Sequence, residues 1–122
     1  MMRQFLFVAF GGGLGSVLRY GLSQIVQTRV STQFPFGTLA VNILGCFFIG
    51  VLYAFAIRGG LSANSRLFLA TGLCGGFTTF SAFSNETVTM LRDGQYLFAA
   101  MYILASIIFG LLATMSAIAI IK

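Results

Sequence analysis

The sequence predicts an all-α membrane protein with four transmembrane helices per subunit, the third of them broken near its middle. Three observations carry that reading. Of 122 residues, 58% are hydrophobic and 7% charged, where soluble domains carry about a quarter charged residues; the mean hydropathy is +0.98. Four apolar stretches, at about 4–27, 35–57, 64–91 and 95–121, each approach or exceed the ~20 residues that span a bilayer. The third contains Thr71-Gly72-Leu73-Cys74-Gly75-Gly76-Phe77-Thr78-Thr79-Phe80-Ser81-Ala82-Phe83, where glycines and hydroxyls weaken a helix at bilayer depth. Irregular backbone there is tolerated only where protein buries it or where it lines a watery path.

The first stretch is apolar from Phe5–Phe10 and continues through residue 28 without a cleavage-like boundary, so it reads as a span rather than a signal peptide. Gly11–Gly15 forms a GxxxG pair and Gly12–Ser16 a small-xxx-small pair, spacings that let helix backbones approach closely within or between subunits. Pro35 suits the first turn of the second helix. Ser62 or Asn64 suits the N-cap of the third. At 1.5 Å per residue a continuous third helix would reach roughly 42 Å, against a core of about 30 Å. An interruption near Gly75–Thr79 absorbs that excess, with tilt as the competing explanation. Gly72–Gly76 is a second GxxxG pair, and the fourth span follows the polar link Arg92-Asp93-Gly94-Gln95. No internal repeat is visible, and residues 1–122 read as a single transmembrane domain.

Four spans put both termini on one side, with Arg3, Arg58, Arg66 and Lys122; Arg29, Arg92 and Arg19, placed toward the far end of the first span, fall to the other. Lys/Arg asymmetry sets orientation, and four against three is almost none. Both orientations are then expected to insert and to pair as an antiparallel homodimer within the lipid bilayer. The net charge of +5 is scattered, without the basic run that nucleic-acid binding uses, so no nucleic-acid partner is expected. His is absent and the only acids are Glu86 and Asp93. No carboxylate pair at a site, His-containing triad or His/Cys metal cluster can be assembled from this set, which argues against an enzyme. Cys46 and Cys74 read as small buried hydrophobes.

Polar groups occur where a membrane helix favours none: Arg19 in the first span, Asn42 in the second, and Thr78, Thr79, Ser81 and Glu86 in the third. In the fourth, Tyr102, Ser106, Gly110 and Thr114 recur every four residues and share one face. The stripe resembles a hydrated track of neutral donors. Phe80 and Phe83 follow the break directly and share a face with each other. An aromatic ring has a positive edge and a negative face, so ring edges with amide and hydroxyl donors replace water around a small, hard anion. Conduction requires binding weak enough for release, which donors without a permanent charge provide.

Three runs now stand together: Gly11-Gly12-x-x-Gly15-Ser16-x-x-Arg19-Tyr20, Phe36-Gly37-Thr38-Leu39-x-Val41-Asn42-x-x-Gly45, and Gly72-x-Cys74-Gly75-Gly76-Phe77-Thr78-Thr79-Phe80-Ser81-Ala82-Phe83. In content and order they strongly resemble the Fluc (CrcB) fluoride channels, over essentially the whole chain. The resemblance implies a dual-topology homodimer with two antiparallel pores, passively exporting fluoride across the bacterial inner membrane. It implies a buried structural Na+ at the dimer centre, held by backbone carbonyls of Gly75 and Thr78 from both subunits. It places Phe80 and Phe83 along the fluoride path with Ser81 between them, Asn42 at the pore, Arg19 at the vestibule, and Tyr102, Ser106 and Thr114 on the fourth-helix track. Ser16, Gly110 and Ala82 depart from the usual family residues; Ala82 lacks a hydroxyl beside the phenylalanine pair. The alternative function is a small dual-topology multidrug exporter, which wants a membrane-embedded carboxylate for proton coupling; the first span has none.

Overall fold

The computed structural model describes residues 1–30 and 32–121; Lys122, counted above among the flanking cations, lies outside them. The described residues are helical, with no strand among them. The first span is α1 (Met2–Val30) and the second α2 (Phe36–Ile57). The third, Ala63–Arg92, is composite. It starts as α3 (Ala63–Arg66), widens into a π-helical stretch (Leu67–Cys74), tightens again as α4 (Gly75–Phe77), breaks, and resumes as α5 (Phe80–Arg92). The fourth is α6 (Tyr96–Ile121). All four spans are long and apolar enough to cross a membrane, and each starts or ends within a few residues of the expected limits.

Local chemistry explains the helix ends. Pro35 sits immediately before α2 rather than inside its first turn. Ser62 is the cap of α3, its hydroxyl accepting from Ser65 N at 3.1 Å, while Asn64 lies inside the helix. The break consists of Thr78 (φ −88°, ψ 156°) and Thr79 (φ −149°, ψ 116°), both extended. It falls at the C-terminal edge of the expected interruption. Thr79 then caps α5 by accepting from Ala82 N at 3.1 Å, satisfying one of the orphan donors of a new helix.

Glycine packing ties the third span to the first. A Cβ on Gly11 would lie 2.4 Å from Phe68 O, one on Gly15 2.2 Å from Leu73 O, and one on Gly76 2.4 Å from Gly12 O. Both GxxxG pairs therefore mark a contact within the subunit, in which α1 and the π-helical stretch run parallel with backbones touching. On the other side α2 packs along α6, where Thr114 Oγ1 donates to Cys46 O at 2.7 Å. Arg58 Nη1 donates to Ile121 O (3.1 Å) at one end of the bundle, and Gln95 Nε2 to Gln33 Oε1 (2.9 Å) at the other.

Arg19 is not near the far end. It is half-buried at the level of the break, donating Nε to Gly76 O at 3.1 Å. Among the described residues the flanking cations are then Arg3, Arg58 and Arg66 against Arg29 and Arg92, still close to even. The buried core is small, centred on Phe34, Met90, Ala99 and Tyr102. Large side chains such as Phe5, Phe10, Leu97, Leu111 and Ile120 face outward, as spans facing lipid or another protein require. Both cysteines are free thiols, Cys74 buried and Cys46 partly so.

Candidate functional site

The break needs partners for backbone groups that a continuous helix would have paired, and α2 supplies them. Asn42 Nδ2 donates to Thr79 O at 3.0 Å, and Asn42 Oδ1 accepts from Thr79 N at 2.9 Å. One primary amide thus serves both backbone polar groups of Thr79. In an α-helix Thr79 N would have closed onto Gly75 O, and Ala82 N onto Thr78 O. The first goes to Asn42 and the second to the Thr79 hydroxyl, so the carbonyls of Gly75 and Thr78 are released from the ladder. Gly76 O is taken by Arg19, and Cys74 O accepts both Thr78 N (3.0 Å) and Thr78 Oγ1 (2.9 Å).

A cavity of about 450 Å³ opens beside the break, lined by Asn42, Cys46, Cys74, Gly75, Thr78, Thr79, Phe80, Phe83 and Ser106, among others. It gathers six of the ten site residues that the resemblance implies: Asn42, Gly75, Thr78, Phe80, Phe83 and Ser106. The Ser106 hydroxyl is buried with no hydrogen-bond partner among the described residues. Phe80 is 79% exposed and Gly75 is exposed, so the cavity wall is open at these two residues.

The remaining candidates lie outside this cavity. The Ser81 hydroxyl, exposed, pairs with Thr79 Oγ1 at 3.2 Å. Thr114 is spent on Cys46 O. Tyr102 is fully buried on the far side of Phe83: ring centroids are 5.6 Å apart for Phe80 and Phe83, and 5.1 Å for Phe83 and Tyr102. The three rings form a row from the break toward one end of the bundle. There the Tyr102 hydroxyl donates to Glu86 Oε1 and Thr38 Oγ1 to Glu86 Oε2, both at 2.9 Å. Glu86 and Thr38 open onto a second cavity of about 510 Å³, lined also by Ser23, Gln24, Gln27, Gln33, Asn85 and Asp93.

The Thr38–Glu86–Tyr102 cluster is what sequence reasoning left unassembled. A signal was present: Thr38, Asn42 and Cys46 recur at i, i+4 and i+8 and so share the inner face of α2. Several other hydroxyls on the spans bond back to their own helix, as Thr87 does to Phe83 O and Thr89 to Asn85 O. The described residues hold no group of three or more His, Cys, Asp or Glu that could hold a metal ion; a cation here would have to use main-chain oxygens. Chemically, the site offers amide and hydroxyl donors, ring edges and freed carbonyls, beside the thiols of Cys46 and Cys74.

Comparison with known proteins gives the family. The family model described as CrcB-like protein, Camphor Resistance (CrcB), matches residues 6–118. A protein of Phocaeicola vulgatus named fluoride-specific ion channel FluC is 48% identical over 114 residues, covering 93% of this chain and 94% of that protein. One of the same name from Flavobacterium psychrophilum is 44% identical over 122 residues, covering 99% and 98%. A third, from Thermus thermophilus, is 48% identical over 110 residues, covering 90% and 88%. With its four spans, its break and a match over nearly its whole length, the chain belongs to the CrcB family.

Proposed function

We propose that this chain is a fluoride channel that lets fluoride leave the cytoplasm passively across the bacterial inner membrane. The carrying observation is the unpartnered Ser106 hydroxyl in a cavity shared with Phe80 and Phe83, whose polar lining includes Asn42, Thr78 and Thr79. Donors and ring edges suit an anion small enough to be desolvated by them. The printed names of the relatives support the same ion. The exporter alternative would put a proton-exchanging carboxylate in the path, whereas both oxygens of Glu86 are engaged by Thr38 and Tyr102.

The functional unit on this reading is an antiparallel homodimer with two pores. Support comes from the open wall at Phe80 and Gly75 and from the near-even flanking charges. A second copy laid across the break covers surface that lipid would not tolerate. The fit for a structural Na+ is favourable: Gly75 and Thr78 both line the cavity, and their carbonyls are free of the helix ladder. Those two oxygens from each subunit would hold the ion, a hard cation that prefers oxygen ligands, and its charge would fasten the two breaks together. Asn42 keeps one amide hydrogen for the anion after bonding Thr79 O.

The test is direct. Protein reconstituted in KF- or KCl-loaded liposomes is treated with a potassium ionophore. Rapid loss of fluoride with retention of chloride is the expected result; equal retention of both ions defeats the channel reading, and proton-driven uptake of a lipophilic cation would install the exporter in its place.

A further inference from the structure

The link between α1 and α2 carries an aromatic side chain that the site described so far does not use. Phe34 is buried, at 7% exposure, although it lies outside any helix. Its ring meets Tyr102 edge-on (centroids 5.7 Å, 83°), Phe98 edge-on (5.8 Å, 90°) and Phe36 at a tilt (4.7 Å, 49°). The row Phe80–Phe83–Tyr102 therefore continues to a fourth ring, and Tyr102 is held between Phe83 and Phe34.

Gln27 fixes that fourth ring. Its Nε2 donates to Thr32 O at 2.7 Å and to Phe34 O at 3.1 Å, and its Oε1 accepts from Gly37 N at 3.0 Å. One side chain on α1 thus ties three backbone groups across the turn into α2. Phe34 O also accepts from Phe36 N at 2.8 Å. The turn is clamped on both sides of Phe34, so the ring is delivered from a rigid frame.

What Phe34 controls follows from the shape of tyrosine. The hydroxyl lies on the Cβ–Cζ axis, so the bond to Glu86 Oε1 fixes where that axis points and leaves rotation about it free. That torsion has a broad, roughly two-fold profile of its own, so the flanking groups decide it. We infer that Phe34 is a positioning residue for the anion path, acting through Tyr102: it sets the rotation of the Tyr102 ring, and hence the edge or face that ring turns toward Phe83. Gln27 is the clamp that holds Phe34 to this task. The inference rests on the channel reading above for its functional half, but the ring orientation itself does not depend on conduction.

The experiment has two independent readouts. In the first, 3-fluorotyrosine is placed at position 102 and its ¹⁹F signal is followed in lipid nanodiscs. The wild-type protein should give two resolved ring positions, and Phe34→Leu should merge them or shift them together as the ring begins to turn; an unchanged signal overturns the inference whether or not the protein conducts. In the second, fluoride efflux from liposomes is measured for Phe34→Leu, Tyr102→Leu and the double variant. Phe34→Leu should slow efflux about three- to tenfold, the range that one edge-to-face pair supports, and should add nothing once Tyr102 is leucine. Additive losses would show that Phe34 acts elsewhere. Should Phe34→Leu fail to fold, Gln27→Ala takes its place in both readouts, with a smaller change of the same sign expected and no change counting against the clamp. A wild-type protein that releases no fluoride removes the channel reading alone and leaves the ¹⁹F result to decide the ring.

Discussion

At the scale of single residues, Asn42 does more for the break than any other side chain. Removing its amide leaves Thr79 N unpaired in a half-buried place and strips Thr79 O of a side-chain donor, at about 1–3 kcal/mol for a group left unsatisfied. Asn42→Ala should lower the unfolding temperature in detergent and suppress fluoride efflux together; a variant with native thermal stability would contradict the clamp. Phe80→Ile keeps bulk and loses the ring edge, so efflux should fall with little change in stability, and a wild-type rate would remove the aromatic part of the path. Ala82→Thr adds a hydroxyl beside the phenylalanines while its backbone N–H still serves Thr79. It should alter fluoride throughput and, on the reading proposed above, leave Na+ binding intact; unchanged flux counts against a pore role there. Asn42, Phe80, Phe83 and Ser106 were legible because polar or paired aromatic residues stand out in an apolar span. Glu86 was visible but its partners were not, since Thr38 and Tyr102 reach it from two other helices. Arg19 was misplaced because its depth depends on a carbonyl, Gly76 O, that only the fold brings near.

At the scale of elements, the two helix pairs are built differently. The α1 seam with the π-helical stretch depends on missing side chains: Gly76→Ala would drive a Cβ to 2.4 Å from Gly12 O, an overpacking that costs about 1–3 kcal/mol. Gly13 faces open space, and Gly13→Ala should be neutral or stabilising by about 0.5–1 kcal/mol, as for a glycine relieved of its helix entropy penalty. Thermal unfolding of the two variants side by side checks the contrast, and equal losses would show that the seam is not selective. The broken third helix could be foreseen, because Gly75, Gly76 and the two threonines weaken it at one place. The π-helical stretch over Leu67–Cys74 could not. Its residues Leu67-Phe68-Leu69-Ala70 carry no local signal for a wider turn, and the backbone contact with α1 that accompanies it is tertiary.

At the scale of the whole molecule, orientation is the open variable. Met2→Lys with Asn64→Lys would load one end of the bundle, and Val30→Lys with Tyr96→Lys the other; Met2, Asn64, Val30 and Tyr96 are all exposed. Under the positive-inside rule each double variant alone should insert one way, lose dimer and lose fluoride efflux, and co-expression of the two should restore both. Full efflux from either alone would exclude antiparallel pairing. The four-span plan was readable from hydropathy because lipid enforces it on every span. The open side of the cavity was not, since Phe80 looks like any buried phenylalanine until the fold leaves it 79% exposed.

That open wall has a consequence for how the protein is made. A newly inserted subunit carries, at mid-membrane, a gap in its helix with Gly75 facing outward and nothing of its own to cover it. Acyl chains cannot hydrogen-bond such a gap, so the orphan is marked by its own backbone for as long as it is alone. On the antiparallel-dimer reading proposed above, its lifetime in the cell should depend on how soon it meets a sibling threaded the opposite way, and dual insertion becomes a matter of supply, with neither orientation expected to survive in excess of the other.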